Sequence, residues 1–326
     1  MDNLTHTLTG LMMSRVGMGK VLSKNAGPVL LMLAANTPDI DGLVGLGNAV
    51  RYISLHRGYP HALVFSPLVA LLPLAVVCLF AKQKPTWQAW LVSWAGVLSH
   101  LLLDWTNIYG TRLLLPFNAK WYHLDMTDVI DPWIWLILLI ALAAPALAGL
   151  VGSEIASSKR EGPKASWAWI ALFLLVAYES ARFVAHDRAI QVMKAHIYGT
   201  EDIPRFAAIP SRLSPLRWRG IVRTNEFDLI VPLDLTENYN PSDGHVYYST
   251  KNSAAIDAAK KSRPFEVFGD FDQLPFWSVR PDGDLIRVDL LDLRFGTPQA
   301  PGFMATAQVT PGGMVVDSKF GMSPPR

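Results

Sequence analysis

Ser99-His100-Leu101-Leu102-Leu103-Asp104-Trp105-Thr106-Asn107-Ile108-Tyr109-Gly110 closes a long apolar stretch of the chain. Residues 87–105 are long and apolar enough for a membrane helix. His100 and Asp104 stand four apart, so a helix places them on one face. Ionisable groups inside hydrocarbon cost roughly 2.5–3.5 kcal/mol even on insertion scales. The pair therefore needs a reason. A shared metal ion is one, since zinc accepts mixed nitrogen and oxygen ligands. A polar helix end, with Asp104 at the water interface, is the other.

The composition around this stretch sets the class. Of 326 residues, 51% are hydrophobic and 17% are charged, against about 25% charged in soluble domains. The apolar excess lies before residue 186. The expected architecture is a mainly α-helical polytopic membrane domain over 1–186, followed by an α+β soluble domain over 187–326. Spans are expected at 62–81, 87–105, 133–151 and 167–185, with Pro67 and Pro73 kinking the first. Alternating apolar positions predict strands within 221–235, 246–250, 285–295 and 303–309. A one-residue slip in 285–295 predicts a β-bulge. The net charge of +2 gives no basis for a nucleic-acid partner. The lone Cys78 makes no intrachain disulfide, and no CxxC offers thiolates for zinc. The N-terminus lacks a cleavable signal pattern, so the first apolar segments are expected to target the chain.

Further ligand-type residues precede the opening stretch. His6 sits in the first turn of an amphipathic or half-inserted helix. Asp39 and Asp41 follow Pro38, which ends a short apolar helix. His56, Arg57 and His61 share a Gly- and Pro-containing loop. Asp131 before Pro132 reads as a helix cap. Basic residues mark cytoplasmic loops, and three turns qualify: Lys20/Lys24, Lys82/Lys84 and Lys159/Arg160/Lys164. With all three inside, every candidate ligand falls on the outer face. The fourth span then carries the C-terminal domain outside.

The order His6, Asn36-x-Pro38-Asp39-x-Asp41, His56-Arg57-Gly58-x-x-His61 and His100-x-x-x-Asp104-x-x-Asn107-x-x-Gly110 resembles the YdjM-type family over about residues 1–150. These are bacterial inner-membrane proteins described as metal-dependent hydrolases and also labelled LexA-binding. The resemblance implies metal binding by His6, Asp39, Asp41, His56, His61, His100 and Asp104. Tyr59-Pro60-His61-Ala62 departs from the Thr-His-Ser-like run expected there. The ligand order also faintly resembles zinc-dependent phospholipase C and P1-type nucleases.

The expected protein is thus a metal-dependent hydrolase of the inner membrane, its site at the outer, periplasmic interface. One or two divalent ions, zinc foremost, would activate water. Asp39 or Asp41 would bridge ions or act as base, and Arg57 would border the opening and pair with an anionic group. Membrane lipids and an amphiphilic or phosphorylated substrate are the expected partners. The donor atoms of His6, Asp41, His61, His100 and Asp104 are expected in one cluster, with Asp39 and His56 at its edge or within it. A non-catalytic protein with a metal staple, and a regulatory protein-binding partner, are the alternatives.

Overall fold

The computed structural model describes residues 1–23, 25–155, 164–199 and 202–322. Lys24, Lys159 and Arg160, on which the predicted orientation partly rests, lie outside them. The chain divides into two compact units. The first comprises Met1–Ile40, Arg57–Arg188 and Pro210–Arg217; the second comprises Asp41–His56, Ala189–Ile209 and Trp218–Arg326.

The first unit is helical. Its elements are α1 (Asn3–Arg15) and α2 (Ala26–Ala34), and then, past α3 (Ile40–Val44) and α4 (Ala49–Leu55), α5 (Ser66–Val69), α6 (Leu71–Ala81), α7 (Trp87–Thr106), α8 (Pro132–Ile155) and most of α9 (Lys164–Lys194). Asp2 caps α1 by accepting from the backbone N–H groups of Leu4 and Thr5. Trp135 Nε1 donates to the same carboxylate at 3.2 Å, which pins α8 against α1. The apolar stretch 62–81 breaks into α5 and α6. Ser93 Oγ and Trp90 Nε1, both on α7, donate to the carbonyls of Ala70 and Pro67 at this break.

Helix α7 buries a stripe of Ala89, Ser93, Gly96, Val97, His100 and Asp104, the spacing of one helix face. Two glycines on α1 and α7 allow the close packing that follows. A Cβ on Gly10 would lie 2.5 Å from the Leu31 carbonyl oxygen, and one on Gly96 would lie 2.8 Å from Ala34 Cβ. Gly10 follows His6 by one turn, and Gly96 precedes His100 by one turn. The contacts that bring α1 and α7 onto α2 therefore also set the distance between the two imidazoles. Gly10→Val forces side-chain atoms against backbone that cannot rotate away. Overpacking of this kind costs about 1–3 kcal/mol, so thermal unfolding in detergent is expected well below wild type; an unchanged melting temperature would refute the packing.

Among the described residues, Ala165–Lys194 is the helix long and apolar enough to cross a membrane by itself. The broken pair Ala49–His61 and Ser66–Ala81 makes two candidates if counted as one span. Four separate spans were expected. The predicted stretch 87–105 is a continuous helix, but its polar stripe of serines, His100 and Asp104 lowers its apolarity.

The second unit holds two four-stranded sheets. β1 (Arg205–Pro210), β2 (Arg217–Arg223), β3 (Asp228–Asp234) and β4 (His245–Tyr247) form one in that order; β5 (Pro275–Asp282), β6 (Leu285–Asp292), β7 (Met304–Val309) and β8 (Val315–Gly321) form the other. β3–β4 and the second sheet pair antiparallel. Between them run α10 (Ala254–Ala259) and α11 (Arg263–Phe271). Phe265, Phe268 and Phe271 form the buried face of α11, and Phe271 stacks on Phe295 with ring centroids 5.7 Å apart. The bulge predicted within 285–295 is absent. β5 and β6 pair without a slip from Pro275↔Asp292 to Asp282↔Leu285. The pattern changes because β6 ends at Asp292, whose side chain accepts from Arg294 N and caps a short 3-10 turn, Leu293–Phe295.

Candidate metal centre

In the first unit, donors from three segments converge. Asp39 closes the short 3-10 turn Thr37–Asp39, which has Pro38 at its second position. His61 ends another, Tyr59–His61, built on Pro60. His100 and Asp104 come from the last turns of α7. One donor atom from each of Asp39, His61, His100 and Asp104 lies within 4.8 Å of the others. His61 Nε2 stands 3.4 Å from Asp39 Oδ1 and 3.5 Å from Asp104 Oδ2. His100 Nε2 stands 3.5 Å and 3.3 Å from the same two oxygens, and 3.1 Å from His61 Nε2. His61, His100 and Asp104 are fully buried, while the Asp39 side chain is 13% exposed.

Those spacings discriminate between a hydrogen-bonded cluster and a ligand set. Hydrogen bonds to nitrogen run about 2.7–3.2 Å. Zinc bonds of about 2.0–2.2 Å place tetrahedral ligands roughly 3.3–3.6 Å apart. Most of the observed separations fall in the second range. His100 Nδ1 lies 2.7 Å from the Ala35 carbonyl, so it carries the proton and turns the Nε2 lone pair inward. Metal-ligating histidines are commonly oriented by such a bond. Asp104 Oδ2 and both ring nitrogens of His6 are buried without a hydrogen-bond partner among the described residues. Buried polar atoms are rarely left so. The donor set fits a divalent ion.

His6 stacks on His100 with ring centroids 3.8 Å apart, and its Nε2 is 3.4 Å from Asp104 Oδ1. Burial, and then the neighbouring His100, push its pKa down to about 3. It is therefore held neutral, the form that binds metals. Burial pushes the Asp39 carboxyl up, but the His61 and His100 imidazoles beside it outweigh that and hold it below the usual carboxylate range. The Met1 amino group also pairs with Asp104 Oδ1.

Asp41 and His56 belong to the second unit. There His56 Nδ1 lies 2.9 Å from Asp41 Oδ1, and Tyr52 packs on the imidazole at 4.6 Å. Arg57 does not border an opening: it is 2% exposed, with its guanidinium on Asp104, Asn107 and Gly110.

A polar network not anticipated from sequence lies on α9. Arg182 is buried, and its Nε donates to the Met126 carbonyl at 2.8 Å. Tyr178 donates to Asp131 at 2.9 Å, and Thr106 Oγ1, at the end of α7, lies 3.4 Å from Glu179. Its signal was present, since Glu179 and Arg182 interrupt an apolar helix. Asp131 also accepts from Trp133 N, as a cap does.

A family model described as YdjM inner membrane protein matches residues 1–189. The chain belongs to the YdjM inner membrane protein family. It is also similar to the uncharacterized protein YfhP of Bacillus subtilis (strain 168), at 24% identity over 315 residues, covering 95% of this chain and 91% of YfhP. No solved structure matches. The matched region contains all of the donor residues of the centre.

Proposed function

We propose that this chain is a multi-pass inner-membrane hydrolase dependent on a divalent ion, with zinc the best fit to two imidazoles and two carboxylates. The observation that carries the reading is the quartet Asp39, His61, His100 and Asp104, spaced as ligands and largely closed to solvent. An ion held there would make water a strong nucleophile near neutral pH. His61, His100 and Asp104, all fully buried, would hold the ion as three ligands. Asp39, the member of the quartet nearest solvent, would then serve as the base that takes a proton from the ion's water. His6 stays neutral beside them. Substrates of amphiphilic or phosphoester type suit a site at the ends of apolar helices.

The orientation belongs to the same proposal. Ser23 and Gln83 hydrogen-bond to one another, which joins the Lys20 and Lys82–Lys84 turns. Those turns follow α1 and precede α7, at the helix ends remote from the donors. Basic turns on the cytoplasmic side put the centre outside, with the C-terminal domain in the periplasm. A reporter fused after residue 160 is expected to read cytoplasmic, and one at the C-terminus periplasmic. The reverse pattern would overturn the orientation.

One observation favours a second reading. Four protein donors make a closed set, as in structural zinc sites, whereas catalytic sites usually keep three. The ion would then staple the 3-10 turns to α7. Elemental analysis combined with a phosphoesterase and lipase panel separates the two. For a hydrolase, Asp39→Asn is expected to keep most of the metal and to lose at least a hundredfold in rate, the scale of a lost general base. For a staple, the metal-loaded wild type hydrolyses nothing and chelation lowers its melting temperature.

A further inference from the structure

Arg57 has surroundings that its place in the sequence does not suggest. A loop arginine among histidines is an obvious anion binder, yet this one is 2% exposed. Nη2 lies 3.0 Å from Asp104 Oδ1, and Nη1 donates to Asn107 Oδ1 at 3.2 Å and to the Gly110 carbonyl at 2.9 Å. The guanidinium also sits 4.5 Å from the centroid of the Tyr109 ring. Asn107 Nδ2 is 3.4 Å from the same Asp104 oxygen. The backbone at Arg57 adopts φ 57°, a left-handed conformation uncommon for a long side chain. Such strain concentrates at functional sites and persists where the surroundings impose it.

The two oxygens of Asp104 thus face different partners. Oδ1 faces Arg57, His6 and the Met1 amine. Oδ2 faces Nε2 of His61 and of His100, and has no hydrogen bond among the described residues. We propose that Arg57 is a positioning residue which occupies Oδ1 and so presents Asp104 to the ion through Oδ2 alone. This rests on the metal-centre reading above. Arg57 then neither binds substrate nor contacts the ion. Its fork fixes the rotation of the carboxylate. Two separated donors in a rigid plane can anchor Asp104 to Asn107 and Gly110 at once, which an ammonium cannot do.

The test loads the full-length protein, in detergent, with Co²⁺, and records affinity and visible spectrum for wild type, Arg57→Gly and Arg57→Lys. Glycine accepts the left-handed backbone, so Arg57→Gly removes the guanidinium without adding strain. It is expected to weaken Co²⁺ binding ten- to a hundredfold, as loss of a ligand-orienting partner does. Its spectrum should change as Asp104 becomes free to engage with both oxygens. Arg57→Lys keeps the charge but not the fork, so it should lose less affinity than Arg57→Gly and shift the spectrum in the same direction. Inorganic phosphate should bind the Co²⁺-loaded wild type and Arg57→Lys equally. If Arg57→Gly does not fold, Asn107→Ala, which removes one anchor of the fork, should move affinity and spectrum in the same direction. Wild-type affinity and spectrum in Arg57→Gly, or in Asn107→Ala where that stands in for it, would overturn the assignment. So would a phosphate affinity that falls in Arg57→Lys while Co²⁺ affinity holds. A wild-type protein that takes up no ion would instead remove the metal-centre reading itself, and this assignment with it.

Discussion

Asp104→Ala is expected to empty the proposed metal centre and to be among the most destabilising single changes in the first unit. Two losses coincide. The centre loses a fully buried donor whose Oδ2 lies within 3.5 Å of both histidine nitrogens. Arg57 loses its carboxylate partner at 3.0 Å while remaining buried. Removing one partner of a buried ion pair costs about 3–5 kcal/mol, because the other charge is left uncompensated. Loss of the ion adds about 2.7 kcal/mol wherever the free metal stands at a hundred times its dissociation constant. Elemental analysis should find less than a tenth of the wild-type metal, and thermal unfolding should move down sharply. His196→Ala, at an exposed helix end, should change neither. Asp104→Asn separates the terms, since it keeps the shape and removes the charge; its metal content should also collapse. Full occupancy in both Asp104 variants would refute the centre.

Asp292→Ala is expected to have a comparable effect on stability in the second unit, for a reason unrelated to metal. Asp292 Oδ2 lies 2.6 Å from Arg294 Nη2, and both side chains are fully buried. Oδ1 caps the 3-10 turn through Arg294 N at 2.9 Å, and Oδ2 accepts from Gln273 N at 3.3 Å. Arg294 also donates to the Phe271 carbonyl and lies over the Phe271 and Phe295 rings. One truncation therefore orphans a buried guanidinium and uncaps a turn, again about 3–5 kcal/mol for the charge alone. Beside it, burial and then the Asp292 charge push the Asp272 carboxyl well above the usual carboxylate range. Chemical denaturation followed by the tryptophans of the β unit, such as Trp218 and Trp277, measures the loss. A shift under about 1 kcal/mol would mean that the pair is not buried as described.

Much of this was legible in the sequence because it depends on short-range spacing. Hydropathy separated a helical N-terminal part from a β-rich C-terminal part. The i, i+4 relation put His100 and Asp104 on one helix face, Pro38 marked the end of a helix, and the Gly- and Pro-containing stretch with His56 and His61 read as a loop of ligand-type side chains. The ordered motifs pointed to the YdjM family. The bulge in 285–295 was misread because alternation reports burial and does not reveal where a strand stops. There a side-chain cap ends β6, and the next apolar residues follow a 3-10 turn.

Tertiary structure alone decided which candidates meet. Asp39 and Asp41 are two residues apart in sequence, yet Asp39 lies against His61 and His100 while Asp41 pairs with His56, because the chain path and not the motif assigns each side chain its surroundings. Arg57 and His61 share a loop, but one turns to Asp104, Asn107 and Gly110 while the other joins the donor quartet. The distance between His6 and His100 follows from how closely α1 and α7 approach α2, and that depends on the absence of Cβ atoms at Gly10 and Gly96. Spacing along a chain constrains direction within one element. The few ångströms that separate a ligand set from scattered polar groups come from packing between elements, which no single segment encodes.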